Sequence, residues 1–184
     1  TVRFAGSDQE HAFCLKGFLD VEGGAAMGGA TTVLEADFYA KVAPHVDVRV
    51  PTCVAAIIDR SAPLGVIIMH DLIATQDARF CSALEAFTAD EAAQSLELLA
   101  GLHAGKGLLQ QYDWIQARAG QLARSGYIPA PMLQEMLDGP RGVNLTPAVR
   151  NAERLIAGLL ALSGRGEKRA QFLVHGDSHA GNIH

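Results

Sequence analysis

The chain has 184 residues, of which 49% are hydrophobic, and a mean hydropathy of +0.14, so it can bury a substantial core. Its net charge of −5 and pI near 5.7 argue against nucleic-acid binding, because affinity for that polyanion requires clustered Lys and Arg. No apolar stretch reaches the length of a membrane span, so we expect no membrane partner.

The cysteine content favours a reducing compartment. Cys14, Cys53 and Cys81 are odd in number, widely spaced and set among apolar residues. This arrangement is typical of unpaired thiols rather than of a disulfide framework, so we expect a cytoplasmic protein. The opening residues TVRFAGSD contain neither an initiator methionine nor the basic start of a signal peptide, which indicates a fragment of a longer protein.

The first part of the chain, residues 1–68, is predicted to form a small sheet with one helix. Two β-rich runs at residues 2–5 and 12–19 flank the turn-forming SDQE and predict a first hairpin. A second hairpin is predicted from VAAIID at 54–59 and LGVIIMHD at 64–71, which are joined by RSAP. Alternation along the 12–19 strand places Lys16 on a sheet face among apolar neighbours.

One helix is predicted between the two hairpins. TTVLEADFYAKVAPH places Glu35, Phe38, Tyr39 and Val42 at i, i+3, i+4 and i+7, which is the spacing of one helix face. The acidic Glu35 therefore belongs to the apolar stripe of this helix.

The remainder of the chain, residues 76–184, is predicted to be mostly helical. Thr88 and Glu91 have the spacing of a capping box at the start of a long helix. The face predicted to be apolar on this helix consists of Leu96, Leu99, Ala100 and His103.

A second clear helix is predicted to begin at Thr146 as the N-cap, with Pro147 at the first position, and to end near residues 164–166. QFLVHGD, residues 171–177, then resembles a short buried strand. The chain is thus predicted to be α+β, with a sheet lobe (1–68), a hinge (69–75) and a helical lobe (76–184). Clefts between such lobes are common ligand sites.

The stretch LVHGDSHAGN, residues 173–182, contains the spacing HGDxxxxN. This spacing resembles the HRDxxxxN catalytic loop of protein kinases. Phosphoryl transfer needs a carboxylate that accepts the proton of the attacking hydroxyl and an oxygen ligand that holds Mg²⁺ against the phosphates. The resemblance implies that Asp177 is the catalytic base and Asn182 the metal ligand. With Gly after His, the stretch is most similar to the aminoglycoside phosphotransferase and choline-kinase-like branch of the kinase superfamily.

Three further stretches are similar to this family and occur in its order. FCLKGF resembles the strand whose lysine contacts the ATP phosphates, which implies that role for Lys16. LEADFYAKVAP resembles the helix whose glutamate pairs with that lysine, which implies that Glu35 holds Lys16 in place. GVIIMHDLI resembles the strand that runs into the hinge. There the resemblance implies adenine binding by backbone groups of Met69, His70, Asp71 and Leu72.

The resemblance implies a protein-kinase-like fold of two lobes, ATP and Mg²⁺ as cofactors, and a small-molecule alcohol as acceptor. It also places a second Mg²⁺-binding aspartate beyond His184, so the helical lobe is expected to be incomplete. The identity of the acceptor and the oligomeric state stay open.

Two other functions are compatible with the same residues. If residues 173–179 form a strand, His175, Asp177 and His179 lie on one face and form a plausible transition-metal set for a metal-dependent hydrolase. A kinase-like protein that binds nucleotide without turnover is the other alternative. Lys16 alone could also be a solvated lysine of an edge strand, and Glu35 could complete a capping box with Thr32.

Overall fold

The computed structural model confirms a mixed α+β chain with small antiparallel sheets. The structure describes residues 1–17, 29–62, 64–82, 84–124, 129–169 and 171–182. The end of the predicted 12–19 strand therefore lies outside the described residues.

The chain divides into two compact units. One unit comprises residues 1–108 together with 173–184, and the other comprises residues 109–172. The predicted hinge between the sheet lobe and the helical lobe is at residues 69–75, within the first unit. The division into those lobes stays a prediction.

The first unit contains two antiparallel sheets. β1 (Val2–Arg3) pairs with β2 (Glu10–His11), whereas β3 (Phe13–Gly17), β4 (Cys53–Asp59) and β5 (Leu64–His70) form a sheet of order β3-β5-β4. The β4–β5 hairpin is confirmed. The first predicted hairpin is divided between the two sheets, because β3 pairs with β5 and only the residues before it pair with β1.

A helix follows β3 in the described chain, as predicted, but its buried face differs from the expected one. α1 (Gly29–Asp37) continues as a π-helical turn, Phe38–Val42, and a 3₁₀ turn, Ala43–His45. Asp37 and Val42 are both fully buried although they lie five residues apart. The π turn explains this spacing, since its hydrogen bonds join residues five apart, as in the bond from the Ala43 N–H to the Phe38 carbonyl.

α1 packs closely against the middle of β5. Ala36 has no exposed surface and forms a core cluster with Ile67 and Met69. At Gly65 a side chain would overlap the Thr32 carbonyl oxygen, and the Gly65 N–H donates to the Thr32 hydroxyl at 3.2 Å. The glycine therefore sets how near the helix approaches the strand.

A short helix, α2 (Leu72–Gln76), follows β5. The long helix α3 (Ala89–Ala104) comes next and begins with the predicted capping box of Thr88 and Glu91. Its predicted face is wrong, because Leu96 and His103 are exposed whereas Leu102 is buried. Leucines and alanines occur on several sides of this helix, so periodicity alone does not select the face. Gly101 selects the buried face, because only a residue without a side chain leaves room for the Asp47 carbonyl oxygen at that position.

The second unit contains α4 (Arg118–Arg124), α5 (Ala130–Asp138) and α6 (Ala152–Gly166). The predicted end of α6 is confirmed. Its predicted start is wrong, because Asn151 is the N-cap and accepts a hydrogen bond from the Arg154 N–H at 2.8 Å.

Gln134 of α5 explains the later start of α6. Its side-chain amide donates to the Arg150 carbonyl at 3.1 Å and accepts from the Ala152 N–H at 3.0 Å. The Thr146 carbonyl accepts from the N–H groups of Val149 and Arg150, which closes a single turn before the helix. A contact from another helix thus overrides the local Thr-Pro signal.

The strand predicted at residues 171–177 is wrong. In the described chain these residues belong to no strand. Leu173 is buried beside Gly105, whereas Val174 is exposed. Gly176 has a φ of +80°, which turns the chain before the short 3₁₀ helix Ala180–Asn182.

A search of the described helices for one that is both long enough and apolar enough to cross a bilayer finds none.

We expect Gly65→Ala to lower the free energy of unfolding by about 1–3 kcal/mol, because the new methyl group meets backbone that has to shift. Denaturant unfolding measures the change. Gly107→Ala is the matched control, since no atom lies within 4 Å of a Cβ built there. Equal stability of the two variants would contradict this account of the helix–strand contact.

Candidate functional site

The structure brings Lys16 and Glu35 together. Lys16 lies opposite Ile67 in the β3–β5 register, and directly paired residues share a sheet face. Ile67 forms the core with α1, so Lys16 lies on the face that carries the helix. Its Nζ atom donates to Glu35 Oε1 at 2.8 Å. This is the pairing that the resemblance implies.

The two alternative interpretations were a solvated edge-strand lysine for Lys16 and a capping box with Thr32 for Glu35. The first agrees with the structure in part and the second does not. Lys16 is on an edge strand and its side chain is 55% exposed, but its ammonium bonds a carboxylate whose side chain is 31% exposed. Thr32 lies within α1 rather than at an N-cap, and its hydroxyl donates to the Gly29 carbonyl. Glu35 therefore bonds Lys16 and does not complete a capping box with Thr32.

The sheet face next to this ion pair is apolar. Cys14 lies opposite Met69 in the register, and Tyr39 and Cys53 pack against the same core. Burial, and secondarily the Glu35 charge, raises the pKa of Tyr39 far above its ordinary value, so the phenol stays protonated. Burial also raises the pKa of the Cys53 thiol. Lys16 and Glu35 thus lie beside neutral side chains of the core cluster.

The structure also brings Asp177 and Asn182 together, on a loop of the same unit. The Asn182 side-chain nitrogen donates to the Asp177 carbonyl oxygen at 2.8 Å and to its Oδ2 at 3.3 Å. His175 also shapes the loop, because its Nδ1 accepts from the Asp177 N–H at 3.2 Å. The loop is therefore held by short-range bonds among the residues of the motif itself.

These two side chains present oxygen atoms to solvent. The Asp177 side chain is 68% exposed. Because the Asn182 nitrogen is used within the loop, its Oδ1 is the atom left to meet a ligand, and no described residue donates to it. A carboxylate and a neutral amide oxygen are ligands that suit a hard cation such as Mg²⁺.

The structure does not support the metal-hydrolase arrangement. Residues 173–179 do not form a strand, so His175, Asp177 and His179 do not share a strand face. The Nδ1 atoms of both histidines accept backbone N–H groups, in the case of His179 that of Gly181. Within the described ranges, no three His, Cys, Asp or Glu side chains are grouped so that they could hold a metal.

The predicted hinge contains the end of β5 and a short helix, α2 (Leu72–Gln76). The His70 and Asp71 N–H groups already donate to the carbonyls of Thr52 and Ala12, both at 3.1 Å. The Asp71 carboxylate caps α2 by accepting from the two N–H groups that follow Leu72. The Leu72 N–H lies at the first position of the helix, where no intrahelical acceptor exists.

Sequence reasoning missed a charge cluster around a buried carboxylate next to Glu35. Asp37 is only 1% exposed, and both its carboxylate oxygens accept from Arg60 Nη2, at 2.8 and 3.0 Å. Lys41 Nζ lies 2.8 Å from Asp37 Oδ1. Burial acts to raise the pKa of Asp37, but the bonds from Arg60 and Lys41 outweigh it and lower the pKa. The i, i+4 spacing of Asp37 and Lys41 is the only local signal of this cluster.

Two cavities of about 300 and about 240 Å³ lie on the first unit along α3. They share Arg49, Gln94 and Leu98 as lining residues. Neither is lined by a predicted site residue.

Comparisons of the chain with protein-family models, curated proteins and solved structures find no match.

We expect Asp37→Asn to lower the free energy of unfolding at neutral pH by about 1.5–3 kcal/mol, because charge-assisted hydrogen bonds are lost. A carboxyl whose pKa is lowered by folding stabilises above its unfolded pKa, and this contribution disappears as the pH falls through the folded pKa. Denaturant unfolding of both proteins from pH 7 to acid should therefore show a difference that shrinks as the pH falls. A difference that is constant with pH would contradict the assignment.

Proposed function

We propose that the protein is an ATP-dependent phosphotransferase, similar to aminoglycoside phosphotransferases and choline kinases. It moves the γ-phosphoryl group of ATP to a hydroxyl group of a small molecule. The two-lobe kinase-like fold, the cytoplasmic location and the lack of a nucleic-acid partner belong to the same proposal.

The contact between Lys16 and Glu35 is the observation that carries the proposal. The two residues lie 19 positions apart, on a strand and a helix, and meet at 2.8 Å. Such a partly exposed ion pair contributes little to stability, about 0–1 kcal/mol. Stability therefore gives little reason for the pairing, whereas a lysine oriented by a carboxylate is suited to bind phosphate oxygens, which supports the proposal.

The loop pair supplies the second part of the argument. Asp177 is exposed. Asn182 donates to its Oδ2 at 3.3 Å and His179 Nε2 lies 3.8 Å from the same oxygen, so Oδ1 is the carboxylate atom accessible to a substrate hydroxyl. In the proposed reaction Asp177 orients this hydroxyl and accepts its proton late in the transfer.

The donor set of the loop fits Mg²⁺. Asn182 Oδ1 would be one ligand, because the Asn182 nitrogen is turned towards Asp177. When bound, the ion neutralises charge on the phosphates of the nucleotide. At the hinge, the Leu72 N–H is the donor that we assign to the base of the nucleotide. The N–H groups before it donate to the Thr52 and Ala12 carbonyls, and the two after it donate to the Asp71 carboxylate.

We expect Asp177→Asn to slow phosphoryl transfer by about three orders of magnitude and to change ATP affinity by less than about tenfold, because a base acts mainly on the transition state. ATP consumption by the full-length protein over a panel of small alcohols, including aminoglycosides, choline and sugars, measures the rate. Asp8→Asn, a change of an exposed loop residue, is the control. Undiminished turnover in the Asp177 variant would refute its role.

We expect Lys16→Ala to weaken Mg-ATP binding by about tenfold or more, because a charge-assisted contact with the phosphates is lost. Thermal shift with ATP, with and without Mg²⁺, measures this. Lys106→Ala removes another exposed lysine of the same unit and should leave binding unchanged. Stabilisation by zinc with no response to ATP would favour the hydrolase and reject the phosphotransferase.

A further inference from the structure

We propose that Asp37 and Arg60 are positioning residues that orient α1 so that Glu35 meets Lys16. The effect of this orientation on nucleotide binding rests on the function proposed above. The orientation itself is a property of the free protein and is tested separately.

Glu35 lies between two anchors of its helix. Three residues before it, Thr32 is held against Gly65 of β5 by backbone packing and a hydrogen bond. Two residues after it, Asp37 is held by Arg60, which follows β4 directly in the β4–β5 connection. Both anchors join the helix to the same hairpin. They therefore set its rotation, and with it the direction of Glu35.

The contact of Arg60 with Asp37, and not that of Lys16 with Glu35, controls this rotation, because the Asp37 carboxylate is only 1% exposed although Arg60 itself is 57% exposed. Positions two apart differ by about 200° around a helix axis, so Glu35 and Asp37 point to different sides. An Asp37 that lost Arg60 would be a buried carboxylate that keeps Lys41 as an ion-pair partner, so a rotation of the helix that breaks the Arg60 contact is penalised strongly. Displacing Glu35 from Lys16 costs little, because both side chains reach solvent.

The π turn adds to the same anchor. It begins directly after Asp37, and its last residue, Val42, is buried in the unit. Lys41, on this turn, reaches back to Asp37 Oδ1. The helix that carries Glu35 is thus held on the side opposite to the contact of Glu35 with Lys16. The residues that hold it there are not among those assigned to nucleotide binding.

The first experiment measures how fast an acylating reagent labels the Lys16 amine, by peptide mass spectrometry of the folded protein. An ammonium bonded to a carboxylate is protected, so Glu35→Gln should speed labelling by about threefold. We expect Arg60→Ala to speed it by a similar factor. Lys106, an exposed lysine of the same unit, is the internal reference for the reactivity of the reagent, and denaturant unfolding of each variant reports any general loss of structure.

Conservative and control variants separate orientation from stability. Arg60→Lys keeps the charge and should restore most of the protection of Lys16. Arg3→Ala breaks a more exposed ion pair of the same length, 2.8 Å, and should not change Lys16 labelling. If Arg60→Ala does not fold, Asp37→Asn, which keeps the side-chain shape, takes its place. Labelling of Lys16 at the wild-type rate in a folded but less stable Arg60→Ala protein overturns the inference.

The second experiment compares the affinities for Mg-ATP and for adenosine. We expect Arg60→Ala to lower the ratio of the two affinities by about the same factor as Glu35→Gln, because only the phosphate contact depends on Lys16. A ratio lowered by Glu35→Gln but not by Arg60→Ala overturns the positioning role. Absence of ATP binding by the wild-type protein refutes the proposed function instead, and the labelling result then decides the positioning role alone.

Discussion

The close contact between α1 and β5 is the constraint on which the candidate site depends. Because Gly65 has no side chain, the backbone of the helix at Thr32 lies directly against the strand, and Ala36 fills the remaining space beside Ile67. Small residues on both elements thus permit a short separation. Glu35 leaves the same helix and meets Lys16 on β3.

Charged side chains have two different roles in this unit. Asp37 is buried, and its partners hold the helix. Lys16, Glu35 and Asp177 reach solvent and contribute little to stability, so their charges are available to a ligand.

The contacts that shape the Asp177 loop are closer in sequence than the contact between α1 and β5. The hydrogen bonds of the loop join residues two to five positions apart, so the motif largely builds its own geometry.

The parts of the fold that follow local rules were predictable from sequence. The β4–β5 hairpin and the capping box of Thr88 and Glu91 depend on neighbouring residues, and both are confirmed. Local rules predicted the wrong buried face for α3, because apolar residues occur on several sides of this helix. They also misplaced the start of α6, which Gln134 determines from another helix. The pairing of Lys16 with Glu35 was predictable only through the order of motifs along the chain.

The amino-acid sequence by itself determined the hairpin of the first unit, the helix between β3 and β4, and the residues that form the Asp177 loop. These features arise from contacts between residues that are close along the chain. Only the tertiary structure decided that Asp37 is buried beside Arg60 and that residues 171–177 remain outside a sheet. Burial and strand pairing depend on partners distant in the sequence, and a pattern within one segment carries no information about those partners.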